Sequence, residues 1–425
     1  MSAEPTRVPL SVLDLVPIAE GSTAGEALHR SIDLARAAER FGYARYWLAE
    51  HHLNPGVAGA APHTFVGVLA ASTERIRVGT AATILGNYEP LQVAEALGTV
   101  AALWPGRVDL GLGRSGVPPV PVAGGEASDG PSTAPAAAAA PAAAPGANAI
   151  VDGLVVPADR PFRFDRARFA VQARLLGRVP GDAARFADDV DALRGFLAGP
   201  VEFADGVRVL AQPAPGSGVE VWVHGSSAGE SARLAGRLGL RFGANYHVAP
   251  SGVLAAVEEY RAHFTPSAEL ARPHVIVSVD VVVAATDAEA RRLAAGYAEW
   301  VLSIREGQGA VPYPAPERAT PIEALAPEQA AAVQDRLDTR FVGSPATVVA
   351  QLETLQRATG ADELLVTTIT HDHARRVDSY RLLAEAWHSG AFSASEDDTW
   401  RRTVTPDDGR ETSLVTTAER RPARA

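Results

Sequence analysis

The chain has 425 residues, of which 47% are apolar, and it carries a formal net charge of −11. This composition supports a large buried core, and the negative charge argues against nucleic-acid binding. Cysteine is absent and all 39 basic residues are arginine, which excludes disulfides, thiolate nucleophiles, zinc–cysteine sites and Schiff-base lysines.

Apolar strand patterns alternate with amphipathic helix patterns along the chain, which is typical of βαβ units and a parallel sheet. The predicted strands cover residues 8–15, 44–50, 75–85, 107–113, 219–227, 241–250, 274–286 and 362–372. The predicted helices cover residues 25–42, 62–73, 89–106, 183–198, 229–239, 251–264, 287–304 and 374–387. Eight strands with intervening helices predict an α/β fold, a (β/α)8 TIM barrel.

Three segments lack this alternation. Residues 117–149 contain an Ala/Pro tract without aromatic residues, which indicates a low-complexity insertion after the fourth strand. The Gly/Pro-rich stretch 306–327 is predicted to be a mobile loop, and the polar residues 389–425 a disordered tail. We therefore expect one barrel domain over residues 7–388, interrupted by the insertion and followed by the tail.

The chain shows no sign of membrane targeting. No apolar run is long enough to cross a bilayer. The first ten residues, MSAEPTRVPL, lack the basic and apolar regions of a signal peptide. We therefore expect a cytoplasmic protein that does not bind membranes.

Polar residues follow the second predicted strand at its carboxyl end, where parallel α/β proteins place their chemistry. These residues are Glu50, His51 and His52. Neighbouring strand residues point to opposite faces, so only one of the two histidines enters the barrel mouth. A metal site would need further ligands, such as His371 and His373, and no spacing requires one. A structural, hydrogen-bonded histidine is the simpler alternative.

The fourth predicted strand runs into GLGRSG (111–116), which has the form of a dinucleotide fingerprint. That fingerprint requires a helix whose N-terminus holds the pyrophosphate, whereas the next three residues are Val-Pro-Pro and cannot form one. We interpret Gly111 and Gly113 as positions of close ligand approach, and Arg114 as a contact for an anion.

The turn after the fifth predicted strand reads GSSAGES, residues 225–231. Backbone N–H groups and hydroxyls at a helix N-terminus late in a barrel form a common phosphate site. The alternative is an ordinary helix cap, in which Ser226 or Ser227 bonds to free backbone donors. Arg114 favours the phosphate interpretation.

The succession of WLAEHH, VGTAATIL, GRVDLGLGR and the serine-rich turn resembles the bacterial luciferase-like flavin monooxygenases. The resemblance covers residues 8–115 and 183–388 and is greatest to the single-chain, alkanal-monooxygenase-like members. It implies a TIM barrel that takes reduced FMN, as a co-substrate, from a separate flavin reductase. It also implies that O2 adds to the flavin 4a position and that the resulting hydroperoxide oxidises a small organic substrate. A homodimer is a further implication.

The resemblance assigns roles residue by residue. His51 matches a histidine beside the isoalloxazine that assists proton movement, and Glu50 matches a backbone contact to the ring. Ala81 and Ala82 match a non-prolyl cis peptide against the flavin. Gly113 stands where light-emitting members carry a cysteine. The residues that match the phosphate site are Arg114, Ser226, Ser227 and Ser231, with Glu230 as an alternative in the turn.

Three other functions stay open. A deazaflavin-dependent oxidoreductase of the same superfamily would transfer hydride without oxygen. A non-catalytic flavin-binding protein would need the phosphate site but not His51. A metal-dependent barrel hydrolase would need the additional histidines.

Overall fold

A computed structural model describes residues 7–114, 148–158, 166–178 and 181–389. All but the last two residues of the predicted insertion, and all but the first residue of the predicted tail, lie outside the described residues. The barrel belongs to a compact unit that ends at Trp387. No helix among the described residues combines the length and the apolar character that crossing a membrane requires.

Eight parallel strands form a closed barrel, which confirms the predicted fold. In chain order β1 to β8 are Leu10–Asp14, Arg45–Leu48, Arg77–Ile84, Val108–Gly113, Glu220–Gly225, Arg241–Asn245, Val275–Val283 and Glu363–Thr367. Each strand pairs in parallel with its neighbours in this order. The pairing of β1 with β8 closes the ring.

Helices surround the barrel and cover its outer face. In chain order α1 to α12 are Ala24–Arg40, Pro62–Ser72, Pro90–Leu103, Arg166–Leu175, Phe186–Ala198, Glu230–Arg237, Val253–Ala262, Asp287–Leu293, Tyr297–Arg305, Pro327–Asp338, Pro345–Thr359 and His373–His388. The other strands are Ala149–Val151 paired with Leu154–Val156, Val201–Glu202 paired with Arg208–Val209, and Phe341–Gly343 paired with β7.

The structure differs from the predictions near the C-terminal third of the barrel. The helix predicted at 287–304 is divided into α8 and α9, with Gly296 at the division. A side chain at Gly296 would lie 2.7 Å from Pro314, so this close approach requires glycine. The segment 306–327, predicted to be a mobile loop, is packed at its middle, because Tyr313 is fully buried and its backbone pairs with Ile18 and Glu20.

The end of the barrel at the strand N-termini is closed by buried charges. Arg45 Nη1 donates to Asp109 and Glu220 at 2.8 Å, and Arg45 Nε donates to Glu363 at 3.2 Å. Directly above them, Trp47 and Trp222 pack edge to face with ring centroids 5.0 Å apart. This packed interior leaves the carboxyl ends of the strands as the open end of the barrel.

Candidate functional site

A cavity of about 270 Å3 opens at the carboxyl ends of β3 to β6. Its lining residues are Ala81, Ala82, Gly113, Arg114, His224, Gly225, Ser226, Ser227, Gly229, Glu230, Ser231 and Asn245. Seven of the predicted site residues therefore share one cavity: Ala81, Ala82, Gly113, Arg114, Ser226, Ser227 and Ser231. Adjacent parallel strands bring these distant segments together.

One wall of the cavity consists of small residues. The Ala81–Ala82 peptide bond is cis, as the family resemblance implied. A Cβ atom on Gly113 would lie 3.0 Å from the Cβ atom of Ala82, so a larger residue at 113 would crowd this wall. The wall leaves room for a flat group to approach the backbone of β3 and β4.

The opposite wall carries hydrogen-bond donors. Ser226, Ser227 and Ser231 lie around the N-terminus of α6, and Asn245 Nδ2 donates to Ser226 Oγ at 2.9 Å. The N-cap residue is Gly229 and no side chain caps α6, so neither Ser226 nor Ser227 serves as the ordinary helix cap. Backbone and hydroxyl donors at a helix N-terminus suit an anion such as phosphate.

The charges around this wall favour an anion. Arg114 is exposed at the end of β4, and no carboxylate in the described part of the chain pairs with it. Glu230 also lines the cavity, but its carboxylate accepts from Arg237 Nη2 at 2.9 Å and lies 3.7 Å from Arg233 Nε. These two arginines compensate the charge of Glu230, which leaves Arg114 as the uncompensated charge of the cavity.

His224, at the end of β5, was not predicted as a site residue. Its side chain points into the barrel, the residue is 8% exposed, and Nε2 is buried without a hydrogen-bond partner among the described residues. A Cβ atom on Gly111 would lie 2.7 Å from His224 Nε2. Burial lowers the pKa of His224 to about 4, so the ring is neutral at physiological pH. The feature of the sequence that could have identified His224 is a polar residue at an inward-facing position of a barrel strand.

Glu50 lies beside the cavity rather than in its lining. Its carboxylate accepts from the Ile84 N–H at 2.9 Å, from Asn87 Nδ2 at 2.6 Å and from His52 Nε2 at 2.8 Å. Ile84 is two residues beyond the cis peptide, so Glu50 ties the end of β2 to the end of β3. The side chain of Glu50, for which the resemblance implied only a backbone contact to the ring, thus supports the cavity wall.

His51 follows β2 and is not among the residues that line this cavity. Its backbone N–H donates to Gly59 at 3.0 Å, while Nδ1 is buried and has no hydrogen-bond partner in the described structure. Burial lowers the pKa of His51 to about 4. Burial lowers the pKa of His247 to about 3, so this histidine is also neutral at physiological pH.

The histidines considered as metal ligands are engaged separately. His371 Nε2 donates to the Glu20 carbonyl at 3.0 Å, and His373 Nε2 pairs with Asp33 at 2.8 Å. Within residues 7–114, 148–158, 166–178 and 181–389, no group of three or more His, Asp or Glu side chains could hold a metal ion. The structure does not bring His51 or His52 together with His371 and His373 as a metal site.

Comparison with known proteins identifies a family. Residues 8–138 and 166–363 match the family described as luciferase-like monooxygenase. The chain is 35% identical over 378 residues to the uncharacterized protein YvbT of Bacillus subtilis (strain 168), covering 89% of this chain and 96% of that protein. It is 33% identical over 381 residues to the luciferase-like monooxygenase of Escherichia coli (strain K12), covering 88% and 96%.

Solved structures show the same fold. Apo-MsnO8 matches with a TM-score of 0.68 and 31% identity, covering 90% of this chain and 98% of that one. The oxygenating constituent of 3,6-diketocamphane monooxygenase from Pseudomonas putida, in complex with FMN, matches at 0.60 and 18%, covering 89% and 98%. An F420-dependent secondary alcohol dehydrogenase matches at 0.55 and 15%, covering 90% and 99%.

Proposed function

The chain belongs to the luciferase-like monooxygenase family, and on that premise we propose that it is an FMN-dependent monooxygenase. It uses reduced FMN and O2 to oxidise a small organic substrate. One observation carries this proposal: a single cavity joins a wall of small residues to a wall of donors with one uncompensated arginine. A flat ring that carries a phosphate requires small residues beside the ring and donors with a positive charge beside the phosphate.

The cavity residues fit FMN. Arg114, the serine hydroxyls and the first backbone N–H groups of α6 would hold the phosphate. Ala81, Ala82 and Gly113 would contact the ring, and Glu50 would keep the end of β3 in position. Bound reduced FMN supplies the activation of O2, and the protein supplies orientation and exclusion of water.

His51 would handle protons at the ring. Its lowered pKa keeps it neutral near pH 7, so Nδ1 or Nε2 is available to accept a proton. The buried Nδ1 atom without a partner is consistent with a group that acquires its hydrogen bond only when a ligand binds.

The proposal includes partners and location. Reduced FMN is supplied by a separate flavin reductase, and the protein works in the cytoplasm as a homodimer. These elements follow from the family resemblance and the composition of the chain.

A deazaflavin-dependent hydride-transfer oxidoreductase is the second candidate function. The fold match to an F420-dependent alcohol dehydrogenase keeps it open. The full-length relative named as a monooxygenase, at 33% identity, favours FMN. A flavin-binding protein without catalysis is the third candidate.

The test is an anaerobic titration of the purified protein with reduced FMN and, in parallel, with reduced F420. The FMN complex is then mixed rapidly with oxygenated buffer while absorbance is recorded. We expect saturable FMN binding and a transient absorbing species that free flavin does not give. F420 binding without FMN binding would establish the second candidate, and FMN binding with oxidation no faster than that of free flavin would establish the third.

A further inference from the structure

Arg336, on α10, is a buried arginine whose charge is not compensated. Its side chain is 9% exposed, and in the described part of the chain no carboxylate pairs with it. Nη2 donates to the Tyr297 hydroxyl at 2.9 Å, and Nε is buried without a hydrogen-bond partner. A buried guanidinium without a counter-charge is unfavourable, and an anion would remove that cost.

The neighbouring arginines are compensated. Arg340 Nε donates to Asp280 at 2.6 Å, and Arg305 Nη2 donates to Asp335 at 2.7 Å. Because Asp280 and Asp335 are each occupied by another arginine, neither compensates Arg336. The local cluster therefore keeps one excess positive charge.

This charge lies at the open end of the barrel. Alternate residues of β7 point inward, and from the floor upward these are Ile276, Ser278 and Asp280. Ser278 Oγ is hydrogen-bonded to His247 at 2.6 Å, and Asp280 holds Arg340. Arg336 donates to the Tyr297 hydroxyl, and the guanidinium of Arg340 lies 3.9 Å from the centre of the Tyr297 ring, so Arg336 is connected through Tyr297 and Arg340 to Asp280 of β7.

A buried apolar cluster connects this region to the cavity that Ala81 lines. Tyr297, Trp300 and Leu365 belong to one buried cluster, against which Ala81 of the cavity wall packs. Within the same region, Trp300 Nε1 and Thr367 Oγ1 are buried without hydrogen-bond partners. Apolar side chains with a few unused polar groups and one cation are the composition of a site for a small amphiphilic ligand.

We propose that the substrate of this enzyme is an organic anion, whose carboxylate or sulfonate pairs with Arg336 and whose apolar part contacts Tyr297 and Trp300. The proposal rests on the proposed monooxygenase function. It assigns the β6–β8 side of the mouth to the substrate and the β3–β6 side to the cofactor.

The test uses octanoate and octanesulfonate as probes, with octanamide as the neutral match. Binding is measured by calorimetry on the full chain with saturating oxidised FMN, or with inorganic phosphate if FMN does not bind, so that the Arg114 cavity is occupied. We expect both anions to bind about 10–100-fold more tightly than octanamide, the usual effect of a charged hydrogen bond. Arg336→Met should abolish this discrimination, Arg336→Lys should retain part of it, and the exposed control Arg291→Gln should leave it unchanged.

Two results would overturn the proposal. The first is that the wild type binds the anions no more tightly than octanamide, or binds none of the three probes. The second is that a folded Arg336→Met variant still prefers the anions to octanamide. Melting temperature supplies a second measurement, because the anions should raise it in the wild type and not in Arg336→Met. If Arg336 has only a structural role, the variant should melt at a lower temperature than the wild type, and the anions should change the melting temperature of neither protein. Failure of FMN to bind would count against the proposed function, whereas anion discrimination tests only the substrate.

Discussion

His224 and Gly243 lie side by side on neighbouring strands, and the imidazole occupies the space that a side chain at 243 would need. A Cβ atom on Gly243 would collide with Nδ1 and Cε1 of His224. The two residues are register partners of β5 and β6. The buried histidine of the cavity therefore depends on the glycine beside it.

Gly243→Ala should displace His224 and destabilise the protein by about 1–3 kcal/mol, the usual cost of overpacking. The double variant Gly243→Ala/His224→Ala should lose less stability than the sum of the losses in the two single variants, because the collision is then absent. Urea unfolding of the four proteins of this cycle measures the coupling. Additive effects would show that the ring moves aside without cost.

His224→Leu should change how stability depends on pH. The folded-state pKa of about 4 is below the ordinary value of 6.5, so between pH 6.5 and 4 the unfolded state binds more protons. Stability of the wild type should therefore fall as pH decreases through this window. Between pH 7 and pH 5, the free energy of unfolding of the wild type should fall by about 2 kcal/mol more than that of the variant. Parallel curves for the two proteins would contradict the buried, neutral histidine.

Arg114→Ala should weaken FMN binding by about 10–100-fold, because a charged hydrogen bond to the phosphate is lost. Riboflavin, which lacks the phosphate, should bind equally to variant and wild type. Fluorescence titration measures both ligands, and Arg194→Ala on α5 is the control for the loss of a surface arginine. An unaltered FMN affinity in the Arg114 variant would remove this residue from the phosphate site.

His51→Ala should reduce turnover on the order of 10²-fold, the lower range for loss of a proton-transfer group, with a much smaller effect on FMN affinity. Rapid mixing of the reduced-flavin complex with oxygen follows the reaction, and an equilibrium titration follows affinity. The matched control is His52→Ala, which removes the neighbouring imidazole that bonds to Glu50. Normal turnover in the His51 variant would restrict this histidine to a structural role.

Arg45→Met should destabilise the barrel by about 3–5 kcal/mol, because the carboxylates of Asp109, Glu220 and Glu363 lose a shared buried partner. The exposed pair of Arg292 and Glu289 offers a control, since Arg292→Met should destabilise the protein far less than Arg45→Met. Urea unfolding compares the two variants. Equal losses would show that the charged layer contributes no more than a surface ion pair.

Much of the barrel was predictable because each strand and helix has a local pattern. All eight barrel strands lie within their predicted segments. The packing of Tyr313 in segment 306–327 was not predictable, since that segment has no periodicity and is fixed by contacts with Ile18 and Glu20, almost 300 residues away. The division between α8 and α9 was missed for a similar reason, because it depends on the approach of Pro314 to Gly296.

The sequence by itself determined the fold class, the strand ends at which polar residues gather, and the seven predicted residues that line the cavity. The fold class and the strand ends depend on local composition and on the rule that parallel strands carry function at their carboxyl ends. Among the seven residues, Ala81, Ala82 and Ser231 were assigned by the family resemblance. Only the tertiary structure decided that Glu50 supports the wall, that His224 lies in the cavity and that Arg336 has no counter-charge. Burial, hydrogen-bond partners and compensation of charge are relations between segments far apart in the chain, and no local pattern records them.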